Sequence, residues 1–264
     1  DHSGDPVTIS LSGDALAKVT IGQASEPDIR SIEILTATGT EKLSINVKGA
    51  GSTMLGEITG TANLNKILAK KVDLVGMGIE LEGSLNQLRI GSVLNGADIQ
   101  FTCTQSAVIK TNEVIGDSTI TIDGQVKLFR AADFRGGSLT GKGITKLVVD
   151  EECDAVIEAG ETNIDSLLVR NGDLKGTVSA AGSIGKISLA NGNLSGDVAA
   201  NHYIDQVKVK KGTLEGSLYS ESQIRKISAW NIQDAAITAI QGIDTINVRS
   251  NLNNTVVSIG YTNL

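Results

Sequence analysis

Residues 164–183 read IDSLLVRNGDLKGTVSAAGS, residues 184–203 read IGKISLANGNLSGDVAANHY, and residues 204–223 read IDQVKVKKGTLEGSLYSESQ. The three lines align without a gap. Apolar residues hold the first, fourth and sixth places: Ile164, Leu167, Val169, then Ile184, Ile187, Leu189, then Ile204, Val207, Val209. Glycine takes the ninth place at Gly172, Gly192 and Gly212. Alternation then resumes as Leu174, Gly176, Val178, Ala180, and again as Leu194, Gly196, Val198, Ala200 and as Leu214, Gly216, Leu218, Ser220. Period-two alternation marks strands with one buried face. A constant 20-residue period marks coils that bury their apolar faces only by stacking on one another.

The same signature extends outward from this block. It recurs at Leu64/Ile67/Ala69, Leu85/Leu88/Ile90, Val126/Phe129/Ala131, Ile144/Leu147/Val149 and Ile243/Ile246/Val248, at intervals of 18–21 residues once a degenerate copy near Ser106 is counted. Looser copies stand at Leu16/Val19/Ile21 and Ile29/Ile32/Ile34. Residues 1–60 contain both prolines, Pro6 and Pro27, and read as irregular N-terminal coils or a cap; residues 61–264 read as one continuous regular domain. No segment keeps a helical apolar spacing for three turns. The expected fold is therefore all-β, a single-stranded right-handed parallel β-helix of about 12 coils with ~20 residues per coil, the hand following that of parallel crossovers in general. Asn171-Gly172, Asn191-Gly192 and Lys211-Gly212 are expected turns at which positive φ is tolerated. Gly176, Gly196 and Gly216 are expected where the interior has no room for a side chain or the wall bends. Strand edges left open at the ends would template association. At the C-terminal end Tyr261 to Leu264 fold over as a cap, the coils continue through a partner, or the natural chain extends further.

Composition narrows the function classes. The charges sum to 23 − 30 = −7, which argues against non-specific nucleic-acid binding. Hydrophobic residues make up 40 %, enough to fill a core. No apolar run approaches the ~20 residues of a membrane-spanning helix. Two cysteines, Cys103 and Cys153, fall on distant coils and read as small buried apolar residues, not as a disulfide framework. A start at Asp1 without a leader fits a processed secreted protein or an excised piece of a longer one, and sparse cysteine with a Gly/Asn/Ser/Thr-rich surface fits an exported bacterial protein, placed outside the cell or on its surface.

The run from Gly182 to Val198, Gly-Ser-Ile-Gly-Lys-Ile-Ser-Leu-Ala-Asn-Gly-Asn-Leu-Ser-Gly-Asp-Val, resembles the glycine-rich β-strand repeats of large surface proteins of planctomycetes and similar bacteria. The resemblance covers about three-quarters of the chain. It is also similar, less fully, to the polymerising β-helix of bactofilins, which are smaller cytoplasmic chains with proline-bearing tails. The resemblance implies a β-helix with a role in surface structure or adhesion. It brings no catalytic motif.

Two clusters carry chemistry. Asp150, Glu151, Glu152 and Asp154 form an acidic turn, and stacking brings Asp133 and Arg135 from the coil before and Arg170 and Asp173 from the coil after. In pectate-lyase-like β-helices such carboxylates hold Ca²⁺ against a uronate or act as an acid/base pair. The plainer reading is a solvated turn with an Asp150–Arg170 pair. The second cluster is a basic stripe of outward residues: Lys146, Arg170, Lys186, Lys208, Lys210, Arg225, Lys226 and Arg249. It would dock an acidic polysaccharide, or simply keep the strands solvated. Trp230, Tyr203 and Tyr219 are the outward aromatics, at different offsets.

Other motifs fall short. His2 and His202 lack partners at metal-ligand spacing, and no Gly-x-Ser-x-Gly stands in the chain. Gly136 to Gly143 is a near miss to a phosphate loop, with Gly143 where Ser or Thr would hold Mg²⁺. The leading expectation is a non-enzymatic cell-surface module, structural or adhesive, with no cofactor. Its partners would be cell-wall or extracellular polysaccharide, or itself through its ends, with no nucleic acid and no membrane span. The alternatives are a polysaccharide lyase or hydrolase using Asp150, Glu151, Glu152 and Arg170, with Ca²⁺ only in that case, or a glycan-binding module using Arg170, Lys186, Lys208 and Lys210.

Overall fold

The computed structural model describes residues 4–23 and 26–260. Among these the chain is all-β, so no helix is long and apolar enough to cross a membrane. Parallel strands stack in a β-solenoid of about 11 turns, against the 12 expected, with coils ~20 residues apart. The chain divides into two compact units, Asp1–Ala131 with Gly136–Leu139, and Ala132–Arg135 with Thr140–Leu264.

The first unit opens with antiparallel pairs. Strand Leu16–Ile21 lies against Ile29–Thr36, and Val7–Leu11 against Lys42–Val47. From there pairing is parallel: Ile32 opposes Ile58, Leu43 opposes Ile67, and Leu64 opposes Leu85. The degenerate copy proves to be the strand Ala107–Lys110, with Ile109 between Leu88 and Phe129. Its signature is blurred for two reasons. A register shift follows Ala107, and the sixth place is Thr111, whose buried hydroxyl donates to the Gly91 carbonyl at 2.6 Å.

In the second unit the apolar places become columns. Ile144, Ile164, Ile184, Ile204, Ile224 and Ile243 form one, and Leu147, Leu167, Ile187, Val207, Ile227 and Ile246 form the next. A third runs Val149, Val169, Leu189, Val209, Ala229, Val248. Past the corner, single bridges link Cys153, Leu174, Leu194 and Leu214. A last strand stacks Ile157, Val178, Val198, Leu218, Ile237 and Val257. These columns are buried until the final described coil, where Ile243, Ile246 and Val248 are half-buried and Val257 is exposed.

The corner glycines are explained differently than the turn chemistry suggested. Gly172, Gly192 and Gly212 do not adopt positive φ. They are glycines because the coils touch there: a Cβ on Gly192 or Gly212 would lie 2.0 Å from the carbonyl oxygen of Gly172 or Gly192. Gly176, Gly196 and Gly216 answer to the same cause, a Cβ meeting the preceding coil's carbonyl at 2.0, 2.0 and 1.9 Å. Side-chain amides and carboxylates complete the corners. Asn163 accepts from the Ser183 N–H at 2.7 Å, Asp173 from Asn193 at 2.8 Å, and Asn193 from Thr213 at 2.9 Å.

Candidate functional site

The acidic turn follows the strand Leu147–Val149. Here stacking sets residues about 20 apart side by side, and the carboxylates find cations. Asp150 Oδ1 accepts from Arg170 Nη1 at 2.6 Å. Glu152 lies between two cations of different coils: Lys175 Nζ donates to its Oε1, and Arg135 Nε stands 3.7 Å from its Oε2. Arg135 also pairs with Asp133. The Lys175 hydrogen bond, with help from the charges of Lys175 and Arg135, holds the Glu152 carboxyl below its ordinary value against the opposing effect of burial. A carboxylate held in this way stays ionised at neutral pH and is a poor proton donor or acceptor. Glu151 and Glu152 line a shallow depression of about 510 Å³ with Arg135, Asp173 and Lys175, whereas Asp150 and Arg170 stand outside its lining. Among the described residues no three His, Cys, Asp or Glu side chains come together as metal ligands.

The basic stripe is not a uniform face. Arg170 is engaged by Asp150, and Arg225 Nη1 donates to Asp205 at 2.5 Å while its guanidinium lies 4.5 Å from the centre of the Tyr203 ring. Lys186 is exposed in the column that continues through Gln206 to Lys226, outside the concave part of the surface. Lys208 and Lys210 are brought together with Lys211, Lys226 and Arg249 around a groove of about 630 Å³.

The groove has a backbone origin. Val209 and Leu214 oppose Ala229 and Ile232, which oppose Val248 and Leu252 in the next coil. Between these fixed points the first coil has four residues (210–213), the second two (230–231) and the third three (249–251). The middle corner is thus two residues shorter than the one before it, and the surface steps inward. Trp230 occupies the step, 45 % exposed. Lys210 and Lys211 overhang it from the longer corner, and Arg249 borders it on the other side. The strand face supplies the rest through Lys208, Ser228 and Asn247, stacked in one column.

Electrostatically the notch is one-sided. Five cations line it and, among the described residues, no carboxylate does. None of the five makes an ion pair among the described residues, while Arg135, Arg170, Lys175 and Arg225 all do. Arranged this way, the groove can hold an extended anionic ligand and offer it one aromatic face.

Lys211 and Trp230 were not read from sequence as parts of one site. The signal was present: the glycine of the ninth place is lost after Ile224, and Ile232 arrives two places early. The remaining candidates contribute no site. His202 is exposed in a turn, its N–H donating to Gly182 and its carbonyl accepting from Ser220. His2 and Tyr261–Leu264 lie outside the described residues. The near-miss phosphate loop falls within the strand Asp133–Ile144, with Gly136 and Gly137 at positive φ and Leu139 buried. Cys153 and Cys103 are not joined in a disulfide. Burial pushes the Cys153 thiol up to about 12, whereas Cys103, expected to be buried, is only half-buried just past the strand Asp98–Thr102. In comparisons with known proteins, no family model, no curated protein and no solved structure matches the chain.

Proposed function

We propose that the chain is a non-enzymatic, extracellular surface module that adheres to acidic polysaccharide through the basic notch. The observation that carries this reading is the separation of charge in the second unit. Its other arginines and Lys175 are consumed by cross-coil pairs, and five cations that make no ion pair among the described residues converge on one concave surface with a half-exposed tryptophan. Gathering five like charges on one concave surface has no structural benefit; a polyanion would relieve their mutual repulsion. The acidic turn supports the same side of the choice, because Asp150 and Glu152 are tied to cations and not poised for proton transfer.

Retention on immobilised polygalacturonate, a sulfated glycan and neutral dextran tests it. Wild-type protein should bind the two acidic polymers and elute as salt rises, since screening shortens from ~30 Å at 0.01 M to ~3 Å at 1 M. A Lys208→Ser/Lys210→Ser/Lys211→Ser variant should lose at least tenfold in affinity, and Arg170→Ser should lose nothing. Equal retention of the triple variant, or retention indifferent to salt, refutes the proposal.

A further inference from the structure

We infer that the notch selects an acidic glycan of alternating composition, with a neutral sugar stacked on Trp230 between two anionic ones that reach Lys210 and Arg249. The inference rests on the polysaccharide-binding reading above and narrows it to a class of polymer and a direction of binding. Lys210, Trp230 and Arg249 each follow one of the paired residues Val209, Ala229 and Val248, so they succeed one another from coil to coil. Successive coils are one inter-strand spacing apart, about 4.8 Å, which sets Lys210 and Arg249 roughly 10 Å apart along the stack. One pyranose advances by about one such spacing, so a glycan running across the strands places three consecutive sugars on cation, aromatic and cation. At the middle position the column offers a ring face and no charge. The cations of that coil, Lys226 and the Asp205-paired Arg225, stand four and five residues back along the strand, the nearer roughly 13 Å away. An anionic group on the middle sugar would therefore meet no cation of its own coil, while the apolar face of a neutral sugar covers the exposed indole.

Trp230 is the only tryptophan, so its fluorescence reports occupancy directly. The full chain is titrated with a hexasaccharide alternating a uronate with a neutral N-acetylated sugar, with an oligogalacturonate of the same length, and with polyphosphate. The expected result is tightest binding of the alternating hexasaccharide, with a fluorescence shift. By calorimetry, affinity should fall roughly tenfold in Trp230→Ala and be largely kept in Trp230→Phe. Oligogalacturonate binding as tightly overturns the alternation and leaves the parent reading standing. Polyphosphate binding as tightly, with Trp230→Ala unaffected, overturns the sugar stacking and leaves only an anion surface. Failure of all three to bind a protein with an unchanged melting curve overturns both readings.

Discussion

Replacing Gly196 by alanine adds a single methyl group, yet it should be among the most damaging changes in the second unit. The added Cβ would lie 2.0 Å from the Gly176 carbonyl oxygen and 2.7 Å from the Lys175 carbonyl. Relief to about 3 Å requires the two coils to part by about 1 Å at that point. The Ser195 and Gly196 N–H groups both donate to the Leu174 carbonyl at 3.0 Å. At about 4 Å neither remains a hydrogen bond. Two lost bonds at about 1 kcal/mol each and about 1–3 kcal/mol of packing strain, less the ~0.5 kcal/mol gained by restricting the unfolded chain, give a net cost of about 2.5–4.5 kcal/mol. In a domain of this size that is a fall of roughly 10 °C in Tm. Gly160→Ala is the matched control, since its Cβ would find nothing nearer than the Gly141 oxygen at 3.9 Å and its φ is not in the left-handed region. It should be neutral or stabilise by up to ~1 kcal/mol. Thermal melting followed by circular dichroism gives the difference. Amide exchange at Ile187 and Val207 localises it, because repeat proteins can open coil by coil. Melting of the two variants within 2 °C of each other would refute the account of the glycine columns as points of backbone contact.

Two further expectations follow from the geometry. Glu41 accepts from the Thr38 N–H at 2.8 Å, the Thr38 hydroxyl at 2.6 Å, and the Gly39 and Thr40 N–H groups at 2.9 and 3.0 Å; these bonds, the Thr38 hydroxyl first, lower its pKa from 4.5 to about 2 against the opposing effect of burial. Its contribution to stability is therefore complete above pH 4.5 and is lost as pH falls from 4.5 towards about 2; urea unfolding of wild type and Glu41→Gln across that range should converge at the acid end, and parallel curves would contradict it. At the notch, inserting Asn-Gly between Trp230 and Asn231 restores the longer corner and fills the step. Binding to acidic polymers should fall to the level of the Lys208/Lys210/Lys211 variant while the melting temperature stays within about 3 °C, and full retention would mean that the step is not what shapes the groove.

The parts of this protein visible in its sequence are those where one physical demand acts on every coil. An inward position must be apolar in all copies, so Ile164, Ile184, Ile204 and Ile224 announce the column before any coordinates are seen. The glycines were equally visible but for a reason the sequence does not disclose. Positive φ and close backbone approach both exclude a Cβ, and only the 2.0 Å approach at Gly192 and Gly212 separates the two causes. The antiparallel start was hidden further, because Val19 and Ile32 carry the same apolar spacing whether their strands run together or opposed.

The site follows the opposite logic, which is why it was harder to find. A charged residue on a stacked strand has two neighbours about 20 residues away, and its chemistry is decided by which of them it meets. Arg170 and Lys208 look alike along the chain; one faces Asp150 and is neutralised, while the other stands between Ser188 and Ser228 and is not. Reading charges down the columns, not along the sequence, separates them. The same reading locates the notch, since a column that loses its glycine after Gly212 and gains Ile232 two places early must shorten its corner. In a solenoid the repeat spends its regularity on the core. A local departure that keeps every inward residue in register, as this one keeps Ile224, Ile227, Ala229 and Ile232, alters the outside alone. That is where a binding surface can arise without cost to the fold.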